Sequence, residues 1–139
     1  MSVHCDKFIC YSIDIEDEFF KLDEDSREKW LEDFKGKNTE EFDKINYAPY
    51  YGAKSSLRNK VVVLYDGMSG TYCKLIYVIE YEREADEENS DTIVDCINEL
   101  LIKVEAPNEI KQKLKRVYKA MFGVETEKCV KTEYIVHWN

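Results

Sequence analysis

Histidine, proline and glycine are all scarce in this chain, with two, two and five copies. So few prolines and glycines leave no collagen-like, proline-rich or glycine/serine linker segment. The two histidines, His4 and His137, stand near opposite ends. His4, Cys5 and Cys10 match no zinc spacing, so no metal site is expected. The five cysteines (Cys5, Cys10, Cys73, Cys96, Cys129) are an odd, scattered set without a C-x-x-C pair. That pattern excludes a disulfide framework and predicts free thiols and a cytoplasmic location. No apolar run approaches the ~18 residues of a membrane-spanning helix. Met1–Lys7 also lacks the basic-then-apolar layout of a secretory leader, so no membrane association is expected.

Apolar and aromatic residues are plentiful, at 44% and 13% of the 139 residues, which argues against general disorder. A chain of this length folds as one domain, 1–139, and buries roughly 68% of its unfolded surface without a metal or disulfide. The clearest local pattern is Lys60–Tyr65, the loop Asp66–Gly70, and then Thr71–Tyr81. Two β-branched and aromatic runs around a glycine-containing loop predict an antiparallel hairpin. In the second run Thr71, Cys73, Leu75, Tyr77, Ile79 and Tyr81 fall on one face, and Tyr72, Lys74, Ile76, Val78 and Glu80 on the other. Both sets are largely apolar, so these strands are expected inside a sheet covered on both sides.

Alternation over residues 3–15 predicts a first strand, with Cys5, Lys7, Ile9, Tyr11, Ile13 and Ile15 opposite Phe8, Cys10, Ser12 and Asp14. Residues 22–34 read as a helix with Trp30, Leu31 and Phe34 inward, and a shorter one follows through Phe42 and Ile45. Residues 46–59 read as a loop and 82–90 as an acidic linker. A helix capped by Ser90 or Asp91 would bury Ile93, Val94, Ile97, Leu100, Leu101 and Val104. Pro107 opens another, with Ile110, Leu114, Val117, Tyr118 and Met121 as its apolar stripe and Gly123 as its stop. Residues 129–138 alternate as a last strand. The predicted fold class is α+β: a mainly antiparallel sheet of about four strands with three to four helices, in the order β-α(α)-β-β-α-α-β.

The formal charge of −9 disfavours direct nucleic-acid binding, because the long-range field repels polyanions. The charge is also segregated. Acids crowd residues 14–33 and 80–95, whereas Lys111, Lys113, Lys115, Arg116 and Lys119 form a basic segment. Asp23, Glu24, Asp25, Glu28 and Glu32 are candidates for an acidic interaction surface that meets a basic protein partner or imitates a nucleic-acid backbone. Asp14, Glu16, Asp17 and Glu18 offer oxygen ligands, but no calcium-loop pattern accompanies them. Lys111, Lys115, Arg116 and Lys119 offer a basic face for an acidic partner, and the two polarities together allow a homodimer.

Tyr47, Tyr50, Tyr51, Lys54 and Arg58 place aromatic faces beside cations, which suits a protein contact or a nucleotide-like anion. Asp66–Gly70 lacks the G-x-x-x-x-G-K-[ST] phosphate loop and fits a hairpin turn. Nothing marks a cysteine as an activated nucleophile, so no catalytic residues, cofactor or enzymatic activity are expected. No motif places the chain in a known family. The profile is that of a small acidic intracellular binding protein acting through a charged, tyrosine-rich surface, such as an inhibitor or accessory factor of a phage or mobile element. The alternative is a module that sequesters a nucleotide-like or small anionic ligand under the Tyr47–Arg58 loop.

Overall fold

Val, Ile, Tyr and Phe dominate the segments that pair into a sheet, because side chains branched or bulky near the backbone fit a pleated, half-buried surface. In the computed structural model, which describes residues 5–21, 23, 25, 46–47, 58–65, 72–84 and 91–138, the first elements are β1 (Cys5–Asp14) and α1 (Glu16–Phe19). Next come β2 (Asn46–Tyr47), β3 (Val61–Tyr65) and β4 (Cys73–Glu84). The chain then runs through α2 (Asp91–Leu101), α3 (Asn108–Phe122) and β5 (Lys131–Trp138). The sheet order is β2-β3-β4-β1-β5, with every pair antiparallel except the two-residue β2 beside β3. The α+β class and the order of the elements follow those read from the sequence, with the two-residue β2 as an added fifth strand.

Both faces of the sheet are buried at their centres. On one, Ile13, Ile15, Val61, Val63, Cys73 and Leu75 meet Leu114, Val117, Tyr118 and Met121 of α3, with Phe19 of α1 beside them. On the other, Phe8, Cys10, Val62, Leu64, Ile76, Val78 and Ile135 form a second cluster, joined by Tyr72 and Tyr81. Helix α3 starts after Pro107, which acts as its cap one residue before the helix, and ends at Gly123. Gly123 takes a φ of 73°, a left-handed conformation that glycine adopts without strain, and its N–H closes on the Lys119 carbonyl.

The predicted faces of the second hairpin strand change sides part-way along. Ile9 pairs with Glu80 but Cys10 pairs with Val78, so Ile79 is an extra residue on β4, a β-bulge. Beyond it the alternation is inverted. Tyr81 packs with the Val78 cluster against Phe8, ring centroids 5.0 Å apart, and no longer shares a face with Tyr77. Glu80 and Glu82 take the opposite side. The strand also continues to Glu84, through the start of what reads as an acidic linker.

Three further departures have local causes. The acidic stretch contains α1, one turn held by the Phe19 and Phe20 amides on the Ile15 and Glu16 carbonyls. The segment read as a loop contributes β2, whose two residues pair with Val62 and Val63. Of the stripe assigned to α2, Leu100 and Val104 are exposed, at 69% and 48%, and Val104 lies past the helix end. The cause is the way α2 is anchored. Asn98 sits on the outer edge of β5, its Nδ2 donating to the Tyr134 carbonyl at 3.0 Å and its Oδ1 accepting from the Tyr134 N–H at 2.7 Å. A carboxamide thus replaces the missing neighbour strand and caps an edge that would otherwise template association. Turning Asn98 inward leaves Leu100 outward. The helices read at 22–34 and 38–45 and the turn at 66–70 lie outside the described residues, apart from the exposed Asp23 and Asp25.

Deleting side-chain volume should separate these two kinds of leucine. Leu114→Ala is expected to destabilise the fold by about 2–5 kcal/mol in urea unfolding. Leu100→Ala should stay within about 0.5 kcal/mol. Equal losses at the two positions would contradict the packing described.

Candidate interaction site

Helical spacing brings Gln112, Lys115, Arg116 and Lys119 onto one face of α3, because positions three and four apart are neighbours on a helix. Opposite that face the chain leaves Gly123 and returns past Glu125 and Thr126. The six side chains enclose a groove of about 520 Å³. Lys115, Arg116 and Lys119 are exposed, and Lys119 lies 3.3 Å from the Glu125 carboxylate. That pair is solvent-exposed at both ends, the kind worth little in stability. Of the four basic residues singled out from sequence, three therefore converge. The fourth, Lys111, donates to the Glu105 carboxylate instead, and this hydrogen bond holds the Glu105 carboxyl below its ordinary range. Lys113 lies over the Tyr77 ring, 5.9 Å from its centroid.

Three of the four carboxylates read as possible cation ligands are matched to lysines. Asp14 is 3.6 Å from Lys74, Asp17 is 3.2 Å from Lys128, and Glu18 is 3.2 Å from Lys21. Among the described residues, no group of three or more His, Cys, Asp or Glu side chains is placed to hold a metal ion. Of the proposed acidic surface, Asp23 and Asp25 are exposed, while Glu24, Glu28 and Glu32 lie outside the described residues.

In the tyrosine-rich segment, Tyr47 belongs to β2 by its backbone, and Tyr50, Tyr51 and Lys54 lie outside the described residues. Arg58 is exposed and its guanidinium is paired with Glu80. Its position follows from the backbone. Asn59 adopts a φ of 64°, which asparagine tolerates, and its N–H bonds to the Val78 carbonyl at 2.8 Å. The Val78 N–H returns a bond to Lys60. This two-bond lock sets Arg58 beside the bulge.

Two polar groups on the second sheet face were not foreseen as sites. At one, Glu133 Oε1 accepts from Ser12 Oγ at 2.5 Å and from Lys74 Nζ at 2.7 Å, and the Cys10 thiol donates to the Glu133 carbonyl. Burial raises the Cys10 pKa well above its ordinary value, and the Glu133 charge adds to this, with Lys74 opposing only in part. Burial by itself would lower Lys74, but the hydrogen bond and charge of Glu133, with Asp14 behind them, raise it on balance. The lysine is thus held as a cation and the thiol as a neutral donor, the reverse of an activated nucleophile and base. At the other group, Tyr81 donates to buried Asp6 at 2.7 Å, and His137, the register partner of Asp6, meets the Tyr72 hydroxyl through Nδ1. Alternation did place Ser12 with Cys10 and Glu133 with His137. What it lacked was the β1–β5 register that joins them.

No family model, curated protein or solved structure matches this chain.

The Cys10 and Lys74 shifts make stability sensitive to alkali. Both groups have a folded pKa above the unfolded one, so their contribution is complete at neutral pH and is lost as pH rises. The unfolded chain gives up the Cys10 proton first, from about pH 8.5, and the loss runs at about 1.4 kcal/mol per pH unit for one group. Thermal melts should therefore show a midpoint that falls from that point upward. Cys10→Ala should make the fall shallower below the range where lysine and tyrosine titrate, and an unchanged slope there would refute the assignment.

Proposed function

We propose that this chain is a non-enzymatic binding protein that receives an acidic segment of a partner protein along α3. The observation that carries the reading is the convergence of Lys115, Arg116 and Lys119 on one groove, in a chain of net charge −9. A groove of about 520 Å³ is of a size to hold side chains, and Gln112 and Thr126 add neutral hydrogen-bonding groups at its walls. Arginine supplies a planar fork for carboxylates, and the lysines supply point charges that steer approach.

The overall negative field favours a short acidic segment over a long nucleic-acid backbone. A non-catalytic role is supported by Lys74 and Cys10, which are held in their unreactive protonation states. An inhibitor or accessory factor works in this way, by occupying a partner's charged surface. In the ligand-sequestering alternative, of the two cations Lys54 and Arg58 only Arg58 is among the described residues, with its guanidinium on Glu80.

A hexaglutamate peptide titrated into isotopically labelled protein tests the reading. Amide shifts are expected to concentrate between Gln112 and Thr126 and to weaken as salt rises through the range where the Debye length falls below about 10 Å. Lys115→Glu with Arg116→Glu should abolish them. Shifts confined to other elements, or binding that persists in the double variant, would overturn it.

A further inference from the structure

We propose that a second groove, between α2 and the outer end of the sheet, receives an arginine side chain of a partner protein in competition with the chain's own Arg58. This groove is distinct from the one along α3. It measures about 510 Å³ and is lined by Lys7, Ile9, Glu80, Glu82, Ile97 and Tyr134, with Phe8 and Tyr81 completing it.

Its existence follows from two features of the fold. Asn98 fixes α2 to the edge of β5, and a groove lies between Ile97 of that helix and the β1–β4 residues Lys7, Ile9, Glu80 and Glu82. The bulge at Ile79 then decides what that surface presents. Had alternation continued unbroken, Ile79 and Tyr81 would lie on the side of Leu75 and Tyr77. The inverted phase puts Glu80 and Glu82 there instead and turns Tyr81 to the other cluster. Bulges commonly re-aim side chains at binding surfaces.

One wall is therefore apolar and aromatic, made by Ile9, Ile97 and Tyr134, and the other carries two exposed carboxylates. Lys7 faces Glu82 across the ladder and balances part of that charge. The chemistry that matches such a groove is a cationic head on an apolar stem. An arginine side chain has both, with a planar guanidinium that can bind a carboxylate by two hydrogen bonds and stack on an aromatic face.

Arg58 supports this choice of occupant directly. Its guanidinium is paired with Glu80, one of the carboxylates lining the groove, and the backbone bonds of Asn59 and Lys60 to Val78 fix the adjoining chain beside it. The carboxylate thus accepts a guanidinium in this setting. Arg58 and Glu80 keep about half of their side-chain surface in water, at 54% and 53%, so the pair is weak and displaceable. The internal arginine acts as a resident competitor that an incoming one must replace.

The test uses the full chain and a capped Gly-Ser-Arg-Ser-Gly peptide, with the matching lysine peptide as comparison, read by amide shifts and by calorimetry. Saturable binding is expected, centred on residues 7–9, 80–82, 97 and 134, and stronger for arginine than for lysine. Glu80→Gln with Glu82→Gln should weaken it by about ten-fold or more, since hydrogen bonds to charged groups are removed. Both positions are exposed, and circular dichroism checks that the variant folds. Arg58→Ala should tighten binding about two- to five-fold, the worth of an exposed ion pair. Lys103→Ala, which removes an exposed cation elsewhere, should not. The proposal fails if no saturation occurs, if the double glutamine variant binds as well as the parent, or if Arg58→Ala leaves the affinity unchanged. It also fails if sedimentation shows a dimer of the parent that Arg58→Ala dissolves, since the occupant would then be a second copy.

Discussion

The ladder between β1 and β4, with its one-residue slip at Ile79, is the constraint on which the rest of the molecule depends. Strand β1 lies between β4 and β5, so its backbone groups are paired on both sides and it links both ends of the chain into one sheet. Up to the slip, the two strands send Ile13 and Leu75 to α3 and Cys10, Ile76 and Val78 to the opposite cluster. Past the slip the same strand reverses its phase. A single inserted residue therefore divides the sheet into an apolar end under α3 and a charged end beside α2. This follows from the two-residue period of a strand, in which moving one position exchanges the faces.

Charge is distributed in a way that the net value conceals. Several of the acids and lysines answer each other within the fold: Lys74 bridges Asp14 and Glu133, Lys128 reaches Asp17, and Lys111 reaches Glu105. The bridges around Lys74 are half-buried, where the screening by water is weaker, and they join β1, β4 and β5 on one face. Among the described residues, a basic groove along α3 and a mixed acidic and aromatic groove beside α2 face solvent. The two grooves differ in character, and it is on this difference that the proposed binding role rests.

Much of this architecture is visible in the residue pattern. The alternation of Ile13, Tyr11 and Ile9 against Phe8 and Cys10, and the 3.6-residue recurrence of Leu114, Val117, Tyr118 and Met121, correspond to the observed faces because local periodicity reflects which side is buried. Gly123 stops α3 since glycine takes the left-handed turn without strain. The α2 stripe misleads for the opposite reason. Leu100 has the right spacing for burial, but the helix turns Asn98 to the Tyr134 backbone, and Val104 lies beyond the helix end. A hydrogen-bonding requirement of a strand some 36 positions away outweighs the local pattern.

The basic groove was half-legible. Helical spacing places Lys115, Arg116 and Lys119 together, whereas the opposite wall of Glu125 and Thr126 depends on how the chain leaves Gly123. The acidic groove was not legible at all, because an unbroken alternation gives Glu80 the wrong neighbours. By itself the sequence determined the class of fold, the apolar faces of β1 and α3, and the separation of charge along the chain, since each is encoded over a few adjacent residues. Only the tertiary structure decided the strand order, the phase reversal at Ile79, the anchoring of α2 through Asn98 and the partners of Lys74, Lys111 and Lys128. Those depend on backbone hydrogen bonds between segments distant in sequence, and no local period records them.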